Sequence, residues 1–576
     1  MKRLFCLLRE LWWFVTKKRR QQFTWLLFIA SIGSVAELFS VGAVLPFLMV
    51  ISDPNEILAK PNFKIVFDSF YINTAENLII ITTFTFGILV AFSGFIRLYI
   101  LKKSSTLAFN IGSDVSSKLY ESVMNRKYSY HLSKNSGEII DVILNKANGI
   151  TYNIFYPVLS AICSAITLSC IVFTGLFFAT YATVIVITCF LVAYYFLVKL
   201  NSESLKKESV IAAQNSSLLI KAIQESLGSI RDIIIDRSQT IHLEKFKQLD
   251  QKLRCALSHF LFLGNSPKIF VETFGVLLII TAIYFLTAFY GGMIEIIPIL
   301  ALIVLAFQRT LPLMQQIFNS WTTIASFQSS LFDVLQMIRM QSEKVNANEL
   351  IFNQIIELRN ISFIHEGKKD PVLRNASMVI KKGERVAIIG ETGSGKSTLL
   401  DIVMGLLPVT SGEIVIDGVL LTENNMRSWH DHISHVPQSI YLINDTIAAN
   451  IALNINSSTI NYEAMRRASM LAGISSFIDS LEGGYQTIVG ENGSTLSGGQ
   501  RQRIGIARAL YKGASIILLD EATSALDEAT EFHVMESIKN LELNITLIIV
   551  THRTNLLDNF DTVYKLSAGK LQRQNI

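Results

Sequence analysis

At 576 residues the chain is too long for one ordinary core, and 50% hydrophobic residues with a mean hydropathy of +0.41 exclude a wholly soluble protein. A net charge of +5 raises nucleic acid as a partner. The cations, however, cluster beside apolar runs, where they suit the cytoplasmic face of a membrane and its anionic lipid, so no nucleic acid is expected.

The chain opens with a mixed segment holding Lys17-Lys18-Arg19-Arg20, then an apolar run from about Phe23 to Ile51. That run is too long for a signal peptide and lacks a small-residue cleavage site, so it reads as the first membrane helix. Further apolar runs cover 77–101, 152–180, 181–200, 269–290 and 293–316, each near the roughly 20 residues that cross a bilayer, for about six spans. Lys102, Lys103, Arg126, Lys127, Lys206, Lys207, Arg231 and Arg237 fall in inner segments, whereas 52–76 has only Lys60 and Lys64 as cations. By the positive-inside rule both termini are cytoplasmic. The inner connections are long and helix-forming, so the spans are expected to continue as helices into the cytoplasm. The outer segment Asn62–Ile72, rich in Phe, Tyr and Ile, reads as a short interfacial helix or a folded loop. Five cysteines (Cys6, Cys163, Cys170, Cys189, Cys255) lack paired spacing, against a disulfide framework or metal site.

After Trp321 an amphipathic stretch, Ser326–Met340, leads to the polar linker Gln341–Glu349. Beyond it β-rich apolar runs alternate with helical segments, the pattern of an α/β nucleotide-binding domain. The expected domains are 1–325 (membrane-spanning), 326–349 (linker) and 350–576 (nucleotide-binding).

Within the last of these, Gly390-Glu391-Thr392-Gly393-Ser394-Gly395-Lys396-Ser397-Thr398 fits the phosphate-loop pattern G-x-x-x-x-G-K-[ST]. It follows the apolar Val386-Ala387-Ile388-Ile389 and leads into Leu399–Met404, so strand, glycine loop and helix come in the order the chemistry requires. Backbone N–H groups and the helix dipole cradle phosphate. Lys396 supplies a point charge to the β- and γ-phosphates and Ser397 a hydroxyl for Mg²⁺. Ile516-Ile517-Leu518-Leu519 is a buried-strand run ending in Asp520-Glu521, one carboxylate for Mg²⁺ and the next to polarise an attacking water. Upstream, Leu496-Ser497-Gly498-Gly499-Gln500 opens a second helix whose N-terminus offers N–H groups to an anion.

Leu-Ser-Gly-Gly-Gln ahead of an Ile-Leu-Leu-Asp-Glu strand resembles the signature of ATP-binding cassette (ABC) proteins, and six spans before one cassette resemble an exporter-type half-transporter. The implied fold is an N-terminal all-α six-helix transmembrane domain followed by an α/β P-loop cassette, and the implied cofactors are ATP and Mg²⁺. In that family the signature of one subunit closes over ATP on the phosphate loop of another, which implies a homodimer with two composite sites. Gln438, in Val436-Pro437-Gln438, resembles the glutamine that touches Mg²⁺ and the water. Ser524-Ala525-Leu526-Asp527 is similar to the loop across the dimer seam, and His552 to the switch histidine near the γ-phosphate. Where family members place an aromatic on adenine, this chain has His365, a smaller ring that can also carry charge. The segments Tyr128–Gly137 and Leu227–Arg237 resemble coupling helices.

Intramembrane charge is expensive and therefore informative. Glu37, Arg97, Lys268, Glu272 and Arg309 lie in or beside spans and form the candidate substrate path. Arg97 and Lys268 either snorkel to the cytoplasmic interface or face a cavity; Glu37 and Arg309 have no such escape. A basic cavity suits an amphiphile carrying phosphate. Ala36-Glu37-Leu38-Phe39 through Leu45-Pro46-Phe47 and Phe307-Gln308-Arg309-Thr310-Leu311-Pro312 are similar to the flippases of lipid-linked oligosaccharides. That resemblance implies polyprenyl-pyrophosphate-linked cargo and a bacterial cytoplasmic membrane. A peptide or drug exporter would share every cassette motif, although no peptidase domain precedes the first span. An ATP-gated channel or regulatory membrane protein is the alternative of a different class.

Overall fold

The computed structural model describes residues 2–59, 74–134, 136–178, 181–290, 293–339, 348–365, 367–368, 370–453, 459–522, 532, 534–536, 545–552 and 560–574, with some side chains inside its helices, most of them in 174–306, also outside the description. The outer segment Asn62–Ile72 and the Ser524–Asp527 loop lie outside the described residues. The chain divides into two compact units, Met1–Arg126 with His131–Ser342, and Lys127–Tyr130 with Glu343–Ile576.

The first unit is helical. Its long helices are Lys17–Gly42, Ala75–Met124, Tyr156–Phe178, Tyr181–Gly228, Gln239–Tyr290 and Met293–Ser326. Among the described residues three stretches, Lys17–Ser52, Ala75–Met124 and Ile139–Phe173, are long and apolar enough to cross a membrane. The first apolar run is broken at Ala43, so Lys17–Gly42 hands over to a short helix, Val44–Ser52. Helices of 50, 48 and 52 residues run about 75 Å at 1.5 Å per residue, far beyond a bilayer core of about 30 Å. They continue as polar-surfaced helices because residues such as Ser104–Glu121 keep helix-forming character after the apolar stretch ends. Lys17–Gly42 packs on Ala75–Met124, and Tyr156–Phe178 on Met293–Ser326. Leu107, Ala108, Ile111, Val115 and Leu119 recur at helical spacing and close one core against Ile150, Ile154 and Leu335. Two π-helical segments, Val142–Lys146 and Thr151–Phe155, interrupt the approach to the third long helix.

The second unit carries two sheets. A four-stranded one has the order β2-β1-β4-β5, and a six-stranded one β10-β9-β3-β8-β7-β6. Here β1 is Ile355–Phe363, β2 Leu373–Lys381, β3 Arg385–Gly390, β4 Ser411–Ile416 and β5 Val419–Leu420. In turn β6 is Ile433–Val436, β7 Ile516–Asp520, β8 Thr546–Val550, β9 Thr562–Ser567 and β10 Lys570–Gln574. Strands β3, β6, β7, β8 and β9 are parallel. Such strands are covered on both faces, so they read as unbroken apolar runs, and Ile516, Leu518, Leu519, Ile548, Ile549 and Val550 are fully buried. Each buried side chain of this size contributes about 1.5–3 kcal/mol.

Candidate nucleotide and substrate sites

The register of the parallel strands assembles the cassette site. Ile388 of β3 lies beside Val550 of β8, Asp520 of β7 beside Val550, and Leu519 beside Val436 of β6. Their carboxyl ends therefore meet at one edge, where ligands of parallel α/β sheets bind. From that edge project the phosphate loop after β3, Gln438 two residues past β6, Glu521 after β7 and His552 after β8.

The loop turns sharply into the helix Lys396–Val403. Gly395, its N-cap, has φ +104°, and a Cβ there would come within 2.9 Å of Val372, so both conformation and space require glycine. Lys396 is buried, and its Nζ donates to the carbonyls of Gly390 and Glu391 at 2.9 Å each. Burial draws its ammonium below the ordinary range, against the nearby charges of Glu521 and Asp520. The hydroxyl of Ser394 is buried without a partner among the described residues. It is a polar atom left for a ligand, since orphaned buried groups are otherwise costly.

Gln438, Glu521 and His552 meet on one carboxylate. Gln438 Nε2 donates to Glu521 Oε2 at 2.8 Å, and His552 Nε2 lies 2.6 Å from Glu521 Oε1. With Glu521 ionised, that ring nitrogen carries the proton. Glu521 holds this position at φ +50°, a left-handed conformation that a non-glycine residue adopts at a cost and that clusters at functional sites.

Two carboxylates crowd the loop helix. Asp401, one helical turn beyond Ser397, has its carboxyl pushed up to about 6 by burial and then by the negative charge of Asp520. Oxygen donors in local surplus of negative charge fit a hard divalent cation, so Ser397, Asp520 and Gln438 could hold Mg²⁺, which would neutralise phosphate charge. Sequence reasoning missed Asp401, because nothing in the loop pattern marks that position.

Ser497 and Gln500 form a reciprocal cap on the helix Gly498–Lys512. Gln500 N donates to Ser497 Oγ at 3.2 Å, and Ser497 N to Gln500 Oε1 at 2.8 Å. Gly498 and Gly499 occupy its first turn. Among the described residues no hydrogen bond or ion pair joins this turn to Lys396. His365 packs edge-on to Phe363, ring centroids 4.9 Å apart at 83°. The carbonyl of Phe363 accepts from Val372 N at 2.8 Å, and Val372 abuts Gly395, so this imidazole is tied to the phosphate loop through two short steps.

In the helical unit Glu37 is buried, and both Arg97 (Nη1 3.4 Å) and Arg309 (Nη1 3.6 Å) converge on its Oε1. Arg97, for which snorkelling and a cavity-facing role were both open, pairs with Glu37. Three residues far apart in sequence form one cluster, and with all groups ionised it keeps one net positive charge. Lys268 and Glu272 are exposed on Gln239–Tyr290 and stand outside this cluster. Polar contacts continue nearby, with Ser34 Oγ 3.1 Å from Thr167 Oγ1.

Comparison with known proteins follows the same division. The model of the ABC transporter transmembrane region matches residues 23–311, half of the chain, and a second model, described as ABC transporter, matches 373–524. The chain is 29% identical over 482 residues to the ATP-dependent lipid A-core flippase of Syntrophus aciditrophicus (strain SB), covering 81% of this chain and 78% of that protein. It is 30% identical over 366 residues to the protein of the same name from Photorhabdus laumondii, 62% of each chain. A match to the Vibrio vulnificus (strain YJ016) protein of that name, 39% identical over 214 residues, spans 37% of this chain and 36% of that one. In three dimensions the chain resembles a bacterial Atm1-family ABC exporter solved with ATP bound, with a TM-score of 0.80 at 21% identity over 96% of this chain and 94% of that one.

Proposed function

Because the chain belongs to the ABC transporter family, an ATP-hydrolysing exporter, we propose that its cargo is an anionic, saccharide-bearing lipid, specifically a polyprenyl-pyrophosphate-linked oligosaccharide moved from the cytoplasmic to the outer leaflet of a bacterial inner membrane. The observation that carries this reading is the buried Glu37 flanked by Arg97 and Arg309. A carboxylate that neutralises one of two guanidinium groups leaves a single net cation and free N–H donors, which pair bidentately with phosphate oxygens. A sugar head cannot cross hydrocarbon unaided, whereas its tail need not leave the lipid. The relatives carry the name ATP-dependent lipid A-core flippase, so a lipid A-type lipid is the second reading.

In the drive, Glu521 accepts the proton of the attacking water, Gln438 and His552 hold its carboxylate in place, and Lys396 and the loop N–H groups bind the phosphates. Two chains form a homodimer in which Ser497–Gln500 of each cover the nucleotide of the other. The test is ATP hydrolysis by purified protein in lipid. A polyprenyl-pyrophosphate saccharide should stimulate wild type, and Arg309→Gln should raise the lipid concentration required by roughly tenfold, the loss of one charged contact. No stimulation of wild type by either class of glycolipid would reject the reading.

A further inference from the structure

The helical unit holds a pocket of about 450 Å³ between the Thr151–Phe178 segment and the helix Met293–Ser326. That volume lies inside the range of small-molecule sites, about 300–1,000 Å³. Its lining includes Tyr152, Tyr156, Ser160, Gln316, Asn319 and Thr323, and among the described residues it has no charged side chain. Gln316 is held rigidly, since its amide N–H donates to Ser160 Oγ and its carbonyl accepts from Ser164 Oγ at 3.0 Å. Among the described residues these are its side-chain bonds, which leave one N–H and one lone pair of the amide for a ligand. Asn319 Oδ1 is buried with no partner among the described residues, an acceptor waiting for a donor.

The wall that carries Tyr152 is π-helical, over Thr151–Phe155. π-Helical turns are rare and often mark functional sites. This one is accommodated by Gly112, where a Cβ would fall 1.9 Å from Thr151 Oγ1, so the neighbouring helix is shaped to admit it. Tyr152 stays more than half exposed, edge-on to Phe109 at 5.0 Å, and presents an aromatic face beside amides and hydroxyls.

Gln316 and Asn319 stand on the same helix as Arg309, about 10 and 15 Å along its axis at 1.5 Å per residue. Spacings of three or four residues and their sums keep Arg309, Gln316, Asn319 and Thr323 on one broad stripe. A net cation at one end of a stripe and an uncharged donor–acceptor pocket at the other match a ligand whose anionic group is joined to a neutral, hydroxyl-rich part. We infer that this pocket is a saccharide subsite, in which Tyr152 and Tyr156 stack on sugar rings while Gln316 and Asn319 exchange hydrogen bonds with their hydroxyls. The inference rests on the flippase reading and adds the residues that would recognise the glycan.

The test uses full-length protein in lipid nanodiscs and two probes, a polyprenyl pyrophosphate and the same lipid bearing a neutral oligosaccharide, each titrated to half-saturation. Wild type should bind the glycosylated probe about tenfold more tightly. Asn319→Leu and Tyr152→Ala should each shrink that ratio by roughly three- to tenfold, the loss of one or two hydrogen bonds or a stacked ring. Arg309→Gln should weaken both probes and leave the ratio intact. Tyr152 is an exposed side chain, so its variant keeps the test alive should Asn319→Leu fail to fold. A ratio unchanged in the pocket variants, or absent in wild type, overturns the saccharide subsite while the flippase reading stands. Wild type that binds neither probe overturns both.

Discussion

Oε1 of Glu521 lies 2.6 Å from Nε2 of His552, and its other oxygen accepts from Gln438 at 2.8 Å. One carboxylate is thus oriented from both sides by residues of neighbouring strand ends. If it is the general base, Glu521→Gln should still bind ATP while turnover falls roughly 10²-fold or more. Steady-state hydrolysis by purified protein near the wild-type rate would remove Glu521 from that role.

Backbone strain at the same residue gives an independent expectation. At φ +50° an alanine keeps the steric cost of the left-handed region, whereas glycine does not. Glu521→Gly should therefore be more stable than Glu521→Ala by about 1 kcal/mol, although neither hydrolyses ATP normally. Thermal unfolding of the two variants side by side reads the difference, and a more stable alanine variant would contradict it.

Asp401 predicts a pH dependence. Its carboxyl is raised from 3.8 to about 6 in the folded chain, so the folded state holds the proton more tightly than the unfolded one. The stability this contributes is complete below pH 3.8 and is lost as pH rises through about 6. Asp401→Asn should thus raise the melting temperature at pH 8, with an advantage that narrows as pH falls below 6. Melts from pH 5 to 8 test this, and a gain that grows toward acid would have the wrong sign.

His365 tests the base contact. If its ring stacks on adenine, His365→Tyr should hold ATP at least as well, and His365→Ala should lose about 1 kcal/mol of affinity. Equal nucleotide affinities in all three proteins would place the imidazole away from the base.

How much of this was legible in the sequence depends on the range of the interaction. The phosphate loop, the Asp520-Glu521 strand end and the Ser497–Gln500 cap are local patterns, each readable within about ten residues because strand, turn and helix N-terminus follow one another directly. The meeting of Glu37, Arg97 and Arg309 was not readable. Each charge stood out as costly in lipid, but their pairing depends on three helices that periodicity does not place beside one another. The π-helical Thr151–Phe155 segment was hidden for a related reason, since its residues have ordinary helical character and only their packing on Gly112 distinguishes them.

The account turns on movement of a lipid between leaflets. Full-length protein in sealed liposomes, supplied with ATP and Mg²⁺ on the cassette side, should transfer a polyprenyl-pyrophosphate-linked oligosaccharide to the opposite leaflet, and Arg309→Gln should lower the amount moved per ATP hydrolysed. Vigorous hydrolysis with no change in the leaflet of that lipid, alongside transport of a peptide or drug by the same preparation, would contradict the flippase reading.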